Sequence, residues 1–109
     1  MGTQAAGSVT VAPNVLVHLV VLALREVPGI SRPGSTPRSR SIYRDDGVAL
    51  RLDPDGVDVD CYLVALPETN LLELGVAVQA TVAAVIRELA GMAVHEVNVY
   101  IQDVEGHSG

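Results

Sequence analysis

Four aspartates stand close together in the middle of the sequence and are the first candidates for metal chemistry: Asp53, Asp55, Asp58 and Asp60. A calcium loop of the EF-hand type needs acids or amides at three alternating positions, then glycine, then a distant glutamate. Pro54 and Gly56 interrupt that spacing and indicate a tight turn, after which the last two aspartates alternate with apolar residues. The pattern predicts turn and solvent-facing residues and no metal site.

The single cysteine and the three histidines show no ligand spacing either. They are Cys61, His18, His95 and His107, and neither Cys-x-x-Cys nor His-x-x-x-His occurs. Cys61 alternates in phase with Val57, Val59 and Leu63, as a small core residue of a strand does. The sequence also lacks a glycine-rich phosphate loop and a serine nucleophile motif. We therefore expect a protein that is not an enzyme and needs no cofactor.

Arginine supplies every basic side chain, since all seven are arginines. Four of them are candidate contacts for an anion or an acidic partner, namely Arg32, Arg38, Arg40 and Arg44. Arg51 follows them, and a loop whose charges are simply solvated is the alternative interpretation. The formal net charge of −6 disfavours binding to nucleic acid or to an anionic lipid surface.

The elements that would carry these residues are readable from local signals. Residues 7–11 alternate as a short strand would, and residues 13–27 predict a helix that Pro28-Gly29 stops. Alternation over 48–52 and 57–64, around a Pro-Asp-Gly turn, predicts a hairpin. Residues 71–90 predict a second helix between Asn70 and Gly91, and 97–102 a last strand.

This order predicts a single α+β domain over residues 1–109, with its core between about 7 and 105. The expected architecture is a small two-layer sandwich with the order β-α-β-β-α-β and both helices on one face of an antiparallel sheet. If the first strand does not pair, an α-β-β-α-β order with a three-stranded sheet remains. Residues 31–46 are rich in Pro, Gly, Ser and Arg and predict a mobile connector.

The first helix is apolar on every side, which a sheet alone cannot cover. Either the second helix and the connector cover it, or another copy of the chain does. We favour the second reading and expect a homo-oligomer whose contact face includes Val17, Val20, Val21 and Leu24. Apolar residues outside the main stripe of the second helix point the same way: Val76, Ala77, Ala80, Ala83, Ala84 and Ala90.

Three segments carry a resemblance to a known family. They are Glu26-Val27-Pro28-Gly29-Ile30, then Val76-Ala77-Val78-Gln79, and finally Val94-His95-Glu96-Val97-Asn98-Val99. In this order and spacing the chain resembles the bacterial alkaline shock protein family, also described as Gls-type general stress or envelope stress response proteins. The resemblance implies a non-enzymatic cytoplasmic protein that self-associates as a scaffold in cell-envelope homeostasis. It also implies a position at the inner membrane face, held there by a membrane-anchored protein partner.

An RNA-binding module of the KH type is the alternative, because it shares the α-β-β-α-β order. The acidic charge and the lack of a Gly-x-x-Gly loop between the helices speak against it. The longest apolar run, from Val15 to Leu24, is shorter than the roughly 20 residues that a membrane-spanning helix needs, so we expect no direct span.

Overall fold

A computed structural model describes residues 6–37 and 43–106 of the chain. Two helices and five strands follow one another within these residues. They are α1 (Pro13–Leu24), β1 (Ile30–Pro33), β2 (Tyr43–Asp45), β3 (Val48–Asp53), β4 (Gly56–Ala65), α2 (Leu71–Ala90) and β5 (Val94–Val104). The α+β class is confirmed, and of the two predicted orders the one that begins with a helix is the nearer.

The hairpin β3–β4 forms as predicted, with Leu52 opposite Val57 and Leu50 opposite Val59. Its turn is fixed by the carboxylate of Asp53, which accepts hydrogen bonds from the backbone N–H of Asp55 at 2.8 Å and of Gly56 at 3.0 Å. These bonds, with that from Asp55 first, lower the pKa of Asp53. The aspartate therefore serves the turn, as the sequence predicts.

Strand β4 is the centre of a mixed sheet. One side of it pairs antiparallel with β3 and then with β1, and β2 continues the sheet beyond β3. The other side pairs with β5, and this pair is parallel. The expectation of an antiparallel sheet is thus wrong for the last pair. Helix α2 returns the chain across the sheet between β4 and β5, and such a crossover makes the two strands parallel.

The N-terminal strand predicted over residues 7–11 does not form, and Val9 is 96% exposed. Strands β1 and β2 form at the two ends of the segment 31–46, for which the sequence predicts a loop. Backbone pairing builds both, β1 with β4 and β2 with β3, and such pairing needs no apolar side chain. Just after β1 the N–H of Gly34 also donates to the Tyr62 carbonyl at 2.8 Å. Residues 38–42 lie outside the described part of the chain.

Both helices pack on the same face of the sheet, as predicted. The core combines α1, α2 and the alternate residues of β3 and β4 that face them. Its fully buried members include Leu16, Val20, Val48, Leu50, Val57, Val59, Cys61, Val78, Val82 and Ile86. A core of this kind is aliphatic throughout, so its stability depends on close packing of many small side chains.

Candidate interaction surface

Helix α1 turns its predicted contact face inwards. Val17, Val20 and Val21 are all buried in the core of the chain itself, where they contact α2 and the sheet. Only Leu24 among the four candidates is partly exposed. The prediction of a contact face at these residues is therefore wrong for the three valines. The helix ends at Leu24, three residues earlier than predicted, and Arg25 is its C-cap residue.

The outer side of α1 is less apolar than its composition indicates. Val15 and Leu22 are about half and two-fifths exposed, and His18 lies between them on the open side. The Nδ1 atom of His18 lies 3.1 Å from Oδ2 of Asp45 on β2. This contact links the exposed side of α1 to the sheet. An exposed pair of this kind contributes little to stability.

The arginines do not converge on one site among the residues described. Nε of Arg32 lies 3.4 Å from a carboxylate oxygen of Glu105, and Arg44 donates to the carbonyl of Pro37 at 3.3 Å. Arg38 and Arg40 lie outside the described residues. Arg32 and Arg44, the two candidates within the described residues, are both exposed to solvent.

A pocket of about 280 Å³ lies between the end of α1 and β1. It brings together three of the predicted site residues, Val21, Leu24 and Arg32. Its rim holds Arg25 and Asp46, whose charged groups are 3.9 Å apart. The lining mixes apolar and charged groups but presents no cluster of three metal-binding side chains in residues 6–37 and 43–106.

Helix α2 exposes more apolar surface than α1 does. Its buried stripe runs through Leu74, Val78, Val82 and Ile86 at intervals of four residues. Leu72 is nonetheless 80% exposed and Val76 is 58% exposed, on the side of the helix towards β5. The sequence pointed to Val76 as lying outside the stripe, but not to Leu72. The available signal was that Leu72 does not fit the four-residue spacing of the stripe that begins at Leu74.

Strand β5 completes this surface at the edge of the sheet. It pairs with β4 alone among the described strands, so its other side has no strand beside it. A shallow groove of about 240 Å³ runs between α2 and β5, and its lining is mainly apolar: Leu71, Leu72, Gly75, Val76, Gln79, Val99 and Ile101. We call this the α2–β5 groove. The Nε2 atom of Gln79 donates to the Val97 carbonyl at 3.1 Å along it.

The opposite face of the sheet is polar and internally satisfied. Asp60 is only 8% exposed, against the sequence expectation of a solvent-facing acid, because Arg51 and Asn98 both donate to it. The hydrogen bond to Asp60 raises the pKa of Arg51. Beside this network the rings of Tyr62 and Tyr100 stack with centroids 4.8 Å apart. Asp60 is thus held by an ion pair with Arg51 and by a hydrogen bond from the neutral amide of Asn98.

Cys61 lies on the core side of the same strand and is fully buried, as predicted. Burial raises the pKa of its thiol to about 12, and the charge of Asp60 adds to the shift. A thiol in this environment is protonated at neutral pH, so it is a packing residue and a poor nucleophile.

No helix in the described residues is long and apolar enough to cross a membrane. The fold is similar to that of the solved MamM CTD. A zinc form of one variant gives a TM-score of 0.50 at 14% identity over 81% of each chain. A nickel form of another gives 0.50 at 16% identity, covering 81% of this chain and 94% of that one. At such identities the likeness concerns the fold alone.

Sequence comparison is more specific than the fold. The uncharacterized protein YqhY of Bacillus subtilis (strain 168) is 23% identical over 105 residues, which cover 91% of this chain and 78% of YqhY. The model of the alkaline shock protein 23 family, a family with a cell envelope-related function, matches residues 1–106. The chain therefore belongs to the alkaline shock protein 23 family, and its family function is related to the cell envelope.

Proposed function

We propose that this protein is a non-enzymatic scaffold that self-associates in cell-envelope homeostasis and takes part in the response to envelope stress. The observation that carries the proposal is the α2–β5 groove, where the exposed Leu72 and Val76 lie beside β5, which pairs with β4 alone among the described strands. Exposed apolar residues next to unpaired backbone groups favour contact with another protein chain.

The position of the surface supports binding rather than catalysis. Val76 and Leu72 are not part of the core, since they lie beside the buried stripe of α2, on the flank that borders the α2–β5 groove. The groups that carry chemistry elsewhere in the molecule serve the fold, with Asp53 in a turn and Asp60 between Arg51 and Asn98. An apolar surface without a structural role in the single chain is explained by a partner.

The proposed cellular setting draws on the family's cell envelope-related function. A cell envelope-related function supports a cytoplasmic protein that acts at the inner face of the membrane. We propose that a membrane-anchored protein holds the assembled scaffold there.

The experiment is size-exclusion chromatography with light scattering on the whole chain and on two variants. Val76→Glu places a charge in the α2–β5 groove. Ala77→Glu adds the same charge at the next residue, which is exposed and does not line the groove. We expect the wild-type chain and Ala77→Glu to be oligomers at micromolar concentration, and Val76→Glu to dissociate at least about tenfold more readily, as for a residue central to an interface.

A wild-type chain that is monomeric up to roughly 100 µM would contradict the proposal, because a contact weaker than this does not support a stable scaffold. Equal dissociation of the two variants would place the contact elsewhere. Far-UV circular dichroism and thermal unfolding serve as the folding control, since both substitutions change exposed positions of the same helix.

A further inference from the structure

The two edges of the sheet are protected to very different degrees. On one side the sheet ends in short strands, β2 of three residues and β1 of four. Strand β1 also ends in Pro33, which has no N–H to donate. On the other side β5 runs for 11 residues. Natural sheets avoid unwanted pairing by shortening their edge strands and placing proline in them, and β5 shows neither device.

The outer side of β5 already takes one hydrogen bond from outside the sheet. Gln79 donates to the Val97 carbonyl from α2, so a helix side chain supplies a donor at that position. Carbonyls of alternate residues point to the same side of a strand. The carbonyls of Val99 and Ile101 therefore point outwards with that of Val97, and both residues border the α2–β5 groove.

The apolar residues of β5 are placed symmetrically about Val99. Apolar residues lie at equal distances on either side, Val97 with Ile101 and Val94 with Val104. These five residues are also the half-buried ones that pack against the core. The irregularities of the β4–β5 ladder fall towards the two ends of the strand and leave 96–101 in regular register.

We propose that β5 pairs antiparallel with β5 of a second copy of this chain, about a two-fold axis that passes beside Val99. The inference rests on the self-association proposed above and names its surface. The residues set opposite each other are Val94 with Val104, His95 with Asp103, Glu96 with Gln102, Val97 with Ile101, and Asn98 with Tyr100. A two-fold contact requires such self-complementarity, because the same patch serves both partners.

The register follows from charge and polarity. Each copy carries a net charge of −6, so a stable contact has to keep carboxylates apart. The axis at Val99 sets no two acids opposite each other and sets His95 against Asp103. Shifting the axis to Asn98 places Ile101 against His95. Shifting it to Tyr100 places Val97 against Asp103, so both alternatives lose an apolar pair.

The same axis accounts for the exposed side of α2. A two-fold axis perpendicular to the sheet keeps the helices of both copies on one face. The two α2 helices then lie side by side above the β5–β5 seam. Leu72 and Val76 of one copy face the same strip of the other, and their exposed apolar surface is buried there. Strand pairing and helix contact form one continuous interface.

Hydrogen exchange on the wild-type chain tests the pairing without any substitution. We expect the amides of Val97, Val99 and Ile101 to exchange about tenfold more slowly at roughly 500 µM than at roughly 5 µM protein, because pairing protects them. Amides of the opposite edge strand β2 should not change. Association with protection at β2 or α1 only would overturn the strand pairing and leave the scaffold proposal standing, whereas absence of any association would overturn both.

Disulfide trapping tests the register. Residues opposite each other in an antiparallel pair have Cβ atoms about 5 Å apart, close to the separation that a disulfide needs. A mixture of Asn98→Cys and Tyr100→Cys chains should form a mixed disulfide under mild oxidation, at least about fivefold faster than either variant alone. The native Cys61 is buried and does not compete. Equal rates in all three samples would overturn the register, and circular dichroism checks that both variants fold.

Discussion

The two helices of this protein have similarly apolar sequences but use their apolar residues differently. Both are strongly apolar, yet α1 places its valines in the core and leaves mainly Val15 and Leu22 partly exposed, whereas α2 buries one stripe and exposes Leu72 and Val76. The difference comes from their positions. Helix α1 packs against α2 as well as β2 and β3, while α2 reaches the edge of the sheet above β5. Composition alone therefore does not locate a contact surface, and position in the fold does.

The largest expected effect is the loss of folding stability when a charge is placed on the buried side of α1 rather than on its exposed side. Val20 is fully buried, so Val20→Glu forces an unpaired charge into the core and should cost more than about 3 kcal/mol. Val15→Glu makes the same change at a half-exposed position and should cost less than about 1 kcal/mol. Urea unfolding followed by circular dichroism measures both. Similar losses in the two variants would show that α1 does not pack as described.

On α2 the corresponding pair should separate stability from association. Val82→Ala removes fully buried methyl groups and should lower the free energy of unfolding by about 2 kcal/mol. Leu72→Ala removes an exposed side chain and should change the stability of the single chain by less than about 0.5 kcal/mol while weakening association. Thermal unfolding at low concentration, with light scattering, distinguishes the two. A Leu72→Ala chain that loses stability as a monomer would give Leu72 a role in the fold.

The N-termini of the two helices should differ in stability by about the free energy that one N-cap hydrogen bond contributes. The side chain of Asn70 accepts from the N–H of Glu73 at 3.0 Å, whereas Ala12 gives α1 no side-chain cap. Asn70→Ala should therefore cost about 1 kcal/mol, and Ala12→Ser should add up to about 1 kcal/mol. Urea unfolding at neutral pH tests both, and a cost at Ala12→Ser would contradict the assignment of that cap position.

The smallest expected effect at neutral pH concerns Cys61, which lies in the core beneath both helices. Its folded pKa of about 12 exceeds the ordinary value of 9.0, so the folded state favours the neutral thiol. Its contribution to stability is complete below pH 9 and is lost as the pH rises from 9 towards 12, and the loss amounts to about 1.4 kcal/mol at pH 10. Comparing the pH dependence of unfolding for wild type and Cys61→Ala isolates this contribution. Rapid alkylation of native Cys61 at pH 8 would contradict its burial.

The parts of the fold that the sequence predicts are those with local signals. The hairpin is announced by alternation around Asp53–Gly56, and α2 by its stripe together with Asn70 and Gly91. Strands β1 and β2 escape prediction because their hydrogen bonds come from distant strands while their own sequence is polar or proline-rich. The parallel pairing of β5 depends on the path of α2 over the sheet, which local pattern does not contain.

The sequence predicted that a helix would carry an apolar contact surface, but it located that surface only in part. A helix that is apolar on all sides has no hydrophobic phase, so the sequence of α1 could not indicate which side faces the core, and the burial of Val17, Val20 and Val21 reversed that prediction. Helix α2 does have a phase, and Val76 outside it was a correct pointer to exposed apolar surface. The joining of that surface to the edge of β5 required the topology.

One measurement compares the two helices directly as contact surfaces. Leu22→Glu and Val76→Glu introduce the same charge at partly exposed apolar positions, the first on α1 and the second in the α2–β5 groove. Light scattering over a concentration series gives the mass of each chain. The result expected is an oligomer for wild type and Leu22→Glu and a monomer for Val76→Glu. An oligomer that survives Val76→Glu and dissociates with Leu22→Glu would contradict the assignment of the contact surface to α2 and β5.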